Sequence, residues 1–128
     1  MITVKLQDIM ESQEVMRTLS NKQLRGRTAF KVARLLKKLE AELTTFNETR
    51  VKIIEQYAKK DENGEFVTNE KNEYQFDPEQ ANKFVEEINK LLSEEIQVDA
   101  NPILLSEIED LDFSPAEIVA LEPFMEEE

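Results

Sequence analysis

The chain has 128 residues, 40% of them hydrophobic and 34% charged, with a formal net charge of -12. That is enough apolar material for one core and too much for a disordered chain. With no histidine and no cysteine it has no imidazole base, Ser-His pair, disulfide or thiolate metal site, and two glycines, Gly26 and Gly64, cannot build a phosphate-cradling loop.

The predicted elements run as follows. "ITVKL" alternates apolar and polar residues and predicts a short strand over 2–6. From Gln7 to about Asn21, Ile9, Met10, Met16 and Leu19 fall at helical spacing, and "SNKQLRG" with Gly26 marks a break. The dominant element is a helix from about Thr28 to Lys60. Val32, Leu36, Leu39, Leu43, Phe46, Arg50, Ile53 and Tyr57 alternate steps of four and three along it, the seven-residue repeat of a helix that packs along a neighbour. At a rise of 1.5 Å per residue such a helix spans about 50 Å, longer than so small a domain can wrap, so pairing with another chain is expected. Arg50 interrupts the apolar seam and reads as a snorkelling surface side chain rather than a register-fixing polar group.

Lys59, Lys60 and Gly64 predict where the helix closes. "EFVT" and "EYQF" predict two strands, 65–68 and 73–76. "FDPEQANKFVEEINKLL" predicts a helix capped by Asp77 with Pro78 in its first turn, bearing Phe84, Val85, Ile88, Leu91 and Leu92. "IQVD" reads as a strand and "NPILLSEIEDLDF" as a mixed segment. Ser114-Pro115-Ala116-Glu117 opens a short last helix, and "EPFMEEE" is expected to fray. The fold class predicted is α+β, helix-dominated: a long central helix packed by two shorter ones with a small antiparallel hairpin or sheet. Residues 1–128 are expected to form a single domain with a basic helical half (1–60), a hairpin plus acidic helical half (61–122) and an acidic tail (123–128).

Charge is divided unevenly along the chain. Residues 1–60 carry 13 Lys+Arg against 7 Asp+Glu, and residues 61–128 carry 3 against 21. Arg17 to Leu39 holds eight bases and no acid, whereas twelve acids and no base follow Lys90. Arg27, Lys31, Arg34 and Lys38 recur at helical spacing as one stripe beside the seam, with Lys37 close by and Arg17, Lys22 and Arg25 extending the patch. Such a stripe either receives acids from a neighbouring segment or copy, or neutralises nucleic-acid phosphates. The net charge of the chain opposes a polyanion, and the helix runs on for five turns beyond a normal recognition helix, so an acidic protein partner is the preferred reading.

Other chemistry is sparse. "DENGEFVTNEKN" differs from a calcium loop in having its glycine fourth and Asn72 twelfth, so it is rejected. "EIEDLD", with Glu107, Glu109, Asp110 and Asp112, reads as a solvated acidic edge in preference to a magnesium site. No pair of carboxylates is tied to a pocket motif, and the chain reads as a non-enzyme with no cofactor. No apolar run reaches the roughly 18 residues of a membrane span, and "MITVKLQDIMESQ" lacks the order of a signal peptide, so a cytoplasmic location is expected.

The helix "TAFKVARLLKKLEAEL", the turn "DENGEF" and the closing "FSPAEIVALEPFMEEE" resemble a family of small phage and prophage proteins of unknown function from tailed phages of Gram-positive bacteria. The resemblance runs over nearly the whole chain and rests on no catalytic motif. It implies a phage origin and an accessory or interaction role in a host cytoplasm or in association with a virion, and it assigns no functional residue.

The function expected is therefore a non-enzymatic phage accessory protein that self-associates through its long helix. Val32, Leu36, Leu39, Leu43, Phe46, Ile53 and Tyr57 form the expected self-association seam, and Arg27, Lys31, Arg34 and Lys38 the partner-binding stripe. An acidic inhibitor that mimics nucleic acid to engage a host or defence protein is the first alternative. A nucleic-acid-binding protein using the stripe is the second. The partners expected are thus a second copy, then a host protein, with nucleic acid ranked behind and no membrane.

Overall fold

The computed structural model of the chain describes residues 1–127. They fall into two compact units, one formed by residues 1–43 with 93–128 and the other by residues 44–92. The division falls inside the long helix at Leu43 and does not follow the charge boundary at residue 60.

In the first unit, strand β1 (Ile2–Lys5) turns its even residues inward, burying Ile2 and Val4. It pairs antiparallel with β2 (Glu95–Val98), Ile2 opposite Val98 and Lys5 opposite Glu95. Helix α1 (Leu6–Ser20) follows without a loop, and its first amide reaches back to the Glu94 carbonyl at 3.0 Å. The Asp8 carboxylate accepts from the Lys5 N–H at 2.9 Å, satisfying one of the donors a helix start leaves open. Leu6, Ile9, Val15, Met16 and Leu19 make the buried face of α1, and buried Ser12 donates to the Ile9 carbonyl rather than standing unpaired.

Helix α2 (Gly26–Tyr57) begins in this unit and ends in the other. Gly26, expected as a break, is its first residue, and the helix closes three residues before the expected Lys60. In its first half Thr28, Val32, Leu35 and Leu39 are buried, one face of the 3.6-residue period. Strand β3 (Ile103–Leu104) leads into the single-turn α4 (Leu105–Ile108), then α5 (Pro115–Leu121). The Ser114 hydroxyl accepts from the Glu117 N–H at 3.2 Å and the Glu117 carboxylate from the Ser114 N–H at 2.9 Å, the reciprocal cap its sequence signals.

The expected fraying of the tail is corrected by the structure. Glu122–Phe124 form a 3-10 turn, Phe124 is wholly buried, and β4 (Met125–Glu126) pairs in parallel with β3. One aromatic ring and two ladder positions hold the segment, which composition alone presents as an acidic end. Glu128, the last residue of that expected tail, lies outside the described residues.

In the second unit, the rest of α2 buries Phe46, with Ile53 and Tyr57 half-buried, and Ala58 just after the helix is buried as well. The expected strands 65–68 and 73–76 are not formed as such. Two isolated bridges take their place, Lys60 with Phe66 and Thr68 with Tyr74. The reason is local. Asp61 Oδ1 accepts from the amides of Asn63 and Glu65, and Asn69 Oδ1 from those of Lys71 and Glu73, so two five-residue turns consume most of the segment. The fourth residue of each turn is left-handed, Gly64 at φ 80° and Asn72 at φ 62°, the two residue types that take that conformation most readily. Gly64 thus closes a turn and not the helix. Helix α3 (Pro78–Leu92) completes the unit with Phe84, Ile88, Leu91 and Leu92 half-buried, and Phe84 stacks on Phe76 at 4.9 Å between centroids.

The architecture is α+β and helix-dominated, with one two-stranded antiparallel sheet. That sheet joins the first strand to residues 95–98 and is not the local hairpin expected at 65–76.

Candidate interaction surface

The first half of α2 carries the residues predicted to bind. Its inward face is occupied by the chain itself. Val32 and Leu39 are buried in the first unit, and Leu36, Leu39 and Leu43 line a groove of about 440 Å³ with Ile9, Met16 and Arg17 of α1. Phe46 is buried in the second unit, where Ile53 and Tyr57 are half-buried and Arg50 lies exposed. Three of the seven predicted seam residues, Val32, Leu39 and Phe46, are therefore core, and Leu36 and Leu43 are half-exposed in the first unit. Leu35, which the heptad reading passed over, is fully buried. Leu35 and Leu36 are consecutive leucines, and a repeat counted on one of them hides the other.

The outward face is basic and contains Phe30, which sequence reading missed as a site residue. Phe30 is 66% exposed, unusual for a large aromatic side chain. Arg27 and Arg34 stand three residues before it and four after, and the Arg34 guanidinium lies 5.8 Å from the centre of its ring. Arg27, Phe30, Lys31 and Arg34 line a cleft of about 300 Å³ whose other wall is Asp99, Ala100 and Asn101, the turn between β2 and β3. Three of the four stripe residues are thus brought together, and Lys38 sits a turn further along the helix, outside the cleft.

Lys31 is the stripe residue whose charge is answered within the chain. Its ammonium is 2.7 Å from Glu107 Oε1, with side chains 21% and 15% exposed. The same carboxylate accepts from the Thr28 hydroxyl at 3.1 Å and from the Leu104 N–H at 2.9 Å, where it also caps α4. Burial alone raises the Glu107 pKa. The hydrogen bonds from Lys31, the Leu104 amide and Thr28, with the charge of Lys31, outweigh it and hold the carboxyl below its ordinary value near 4.5. Glu107, predicted as part of a solvated acidic edge, is instead a structural hub joining α2 to α4. Lys22 is likewise engaged, 5.4 Å above the Phe113 ring and bonded to the Asp112 carbonyl at 3.4 Å. Arg25 shares a cleft with Glu109 and Asp110.

Among the described residues, the ion pairs found within 4 Å are Lys31–Glu107 and the exposed Lys59–Asp77. Arg27, Arg34, Lys37 and Lys38 are exposed, and none of them has an acid within that distance among the described residues. Among the described residues no three carboxylates converge on one metal-sized position, and no helix is long and apolar enough to cross a membrane.

This is a small helix-dominated α+β protein that displays a basic, aromatic-bearing helix face. The chain belongs to a family described as "protein of unknown function (DUF1617)", whose model matches residues 1–127. No curated protein matches the chain, and no solved structure does.

Proposed function

We propose that the protein is a non-enzymatic accessory protein of a phage or prophage, working in the host cytoplasm by binding proteins, a second copy of itself first, through α2. The observation that carries this reading is the unanswered charge on that helix. Five of the eight bases in residues 17–39 stand on α2, twelve acids without a base follow Lys90, and among the described residues Lys31–Glu107 is the one ion pair within 4 Å between the two groups. Opposite charge placed on separate surfaces and left unpaired favours contact between copies, because each supplies what the other lacks. The burial of Val32, Leu39 and Phe46 favours the outward face of the helix for that contact. Multi-angle light scattering of Arg34→Glu combined with Lys38→Glu tests this. Both side chains are exposed, so the variant keeps its helical signal and loses the higher mass of the parent protein. An unchanged mass contradicts the reading.

A second reading rests on exposed Glu109, Asp110, Asp112, Glu122, Glu126 and Glu127, in a segment without a base. Such a surface suits a decoy for a host protein that binds nucleic acid. A low-salt pull-down from host lysate that recovers no nucleic-acid-binding protein contradicts it. Direct nucleic-acid binding by the stripe is weakened by the engagement of Lys31 with Glu107, and absence of a gel shift at low salt disposes of it.

A further inference from the structure

The first unit carries two exposed apolar residues at the centres of small patches of opposite charge. Phe30, 66% exposed, stands between unpaired Arg27 and Arg34 on α2. Val119, 63% exposed, stands on the outer face of the short helix α5 with exposed Ala116 three residues before it and exposed Glu122 three after. Apart from Met1 these are the most exposed large hydrophobic side chains among the described residues. Residues at such spacing share one helix face, so each patch is a contiguous surface. Aromatic and arginine side chains dominate the energetics of protein contacts when they enter a matching apolar site ringed by complementary charge.

We propose that the Phe30 patch docks on the α5 face of a second copy, Phe30 against Val119 and Ala116, with Arg34 answering Glu122. The inference rests on the self-association proposed above and names the contact that makes it. The Phe30 side offers cations, tempered by Asp99 on the far wall of the cleft, while the α5 side offers Glu122 and, in the cleft beside Ala116, Glu11, Glu14 and Glu117, with Lys22 held at Asp112 and Phe113 just before the helix. The charges match between unlike patches, whereas two Phe30 patches facing each other oppose arginine to arginine. Because the patches differ, the contact repeats from copy to copy, each copy giving one surface and receiving the other.

The experiment uses Phe30→Asp and Val119→Asp in the full chain, followed by sedimentation velocity. Both positions are exposed, and unchanged far-ultraviolet circular dichroism checks that each variant folds. The parent protein sediments above the monomer mass of 14.9 kDa, and each variant alone sediments as monomer. An equimolar mixture then forms a dimer, since the Val119 variant keeps an intact Phe30 and the Phe30 variant keeps an intact α5 face. If both variants are monomeric and their mixture stays monomeric, the unlike-patch contact is wrong. If the parent protein associates and either variant associates equally, the patch is wrong while self-association stands. A parent protein that stays monomeric overturns both proposals. Monomers that shift a labelled single-stranded oligonucleotide, lost on Phe30→Asp, assign the cleft to nucleic acid and overturn this docking.

Discussion

Glu107→Ala gives a destabilisation whose size follows from the bonds the carboxylate makes. It removes the acceptor for the Leu104 N–H at the start of α4, a loss of a helix cap worth about 1 kcal/mol. It also leaves the Thr28 hydroxyl, on a buried residue, without the partner it holds at 3.1 Å, which costs a further ~1 kcal/mol or more. The Lys31 ammonium loses its ion pair, but its side chain is 21% exposed and regains water, so this part adds on the order of 1 kcal/mol. The sum is about 2–4 kcal/mol, read as a shift in urea midpoint at pH 7 with unchanged slope. Exposed Glu109→Ala, two residues on, changes stability by less than about 0.5 kcal/mol and serves as the control. The sign of the pH dependence is fixed as well. The folded-state pKa of Glu107 lies below its ordinary value, so its contribution is fully present above about 4.5 and is lost as pH falls through the folded value. The difference between the parent protein and Glu107→Ala therefore shrinks on acidification below that point. A difference under about 0.5 kcal/mol at pH 7, or one that grows as pH falls, refutes the reasoning.

Other substitutions separate core from surface. Phe124→Ala empties a wholly buried site and costs about 3–5 kcal/mol, so a tail that melts without affecting the urea midpoint counts against the account of residues 123–126. Gly64→Ala forces a side chain into a left-handed conformation at φ 80°, with no atom within 4 Å of the new Cβ, so its cost is backbone strain of about 1–2 kcal/mol. Asn72→Gly in the sister turn relieves the same conformation, and thermal melting of that variant shows no loss. Arg50→Leu is neutral within about 0.5 kcal/mol by denaturation, since the side chain is exposed; a large effect of either sign restores the register-fixing role.

What could be read from the sequence was set by local signals. Helices α1, α2 and α3 announce themselves through apolar periodicity, and α5 through Ser114 and Glu117, because hydrogen bonds and caps join near neighbours. The partner of β1 lies ninety or more residues away, and nothing in "ITVKL" names it, so its pairing with the strand expected at "IQVD" was not legible. The tail misled because "EPFMEEE" is acidic by count, while one residue, Phe124, decides its fate by filling the core. At the candidate surface, the basic stripe was legible from spacing. Its internal differences were not, since the pairing of Lys31 with Glu107 and the exposure of Phe30 depend on which segments pack against α2.

The central claim is that the charge left unpaired on α2 serves contact between copies. Sedimentation velocity of the parent protein over a wide range of concentration, at low and at high salt, tests it most directly. The account predicts a mass above 14.9 kDa that rises with concentration and falls as salt screens the arginine contacts. A species of 14.9 kDa at every concentration and salt contradicts it.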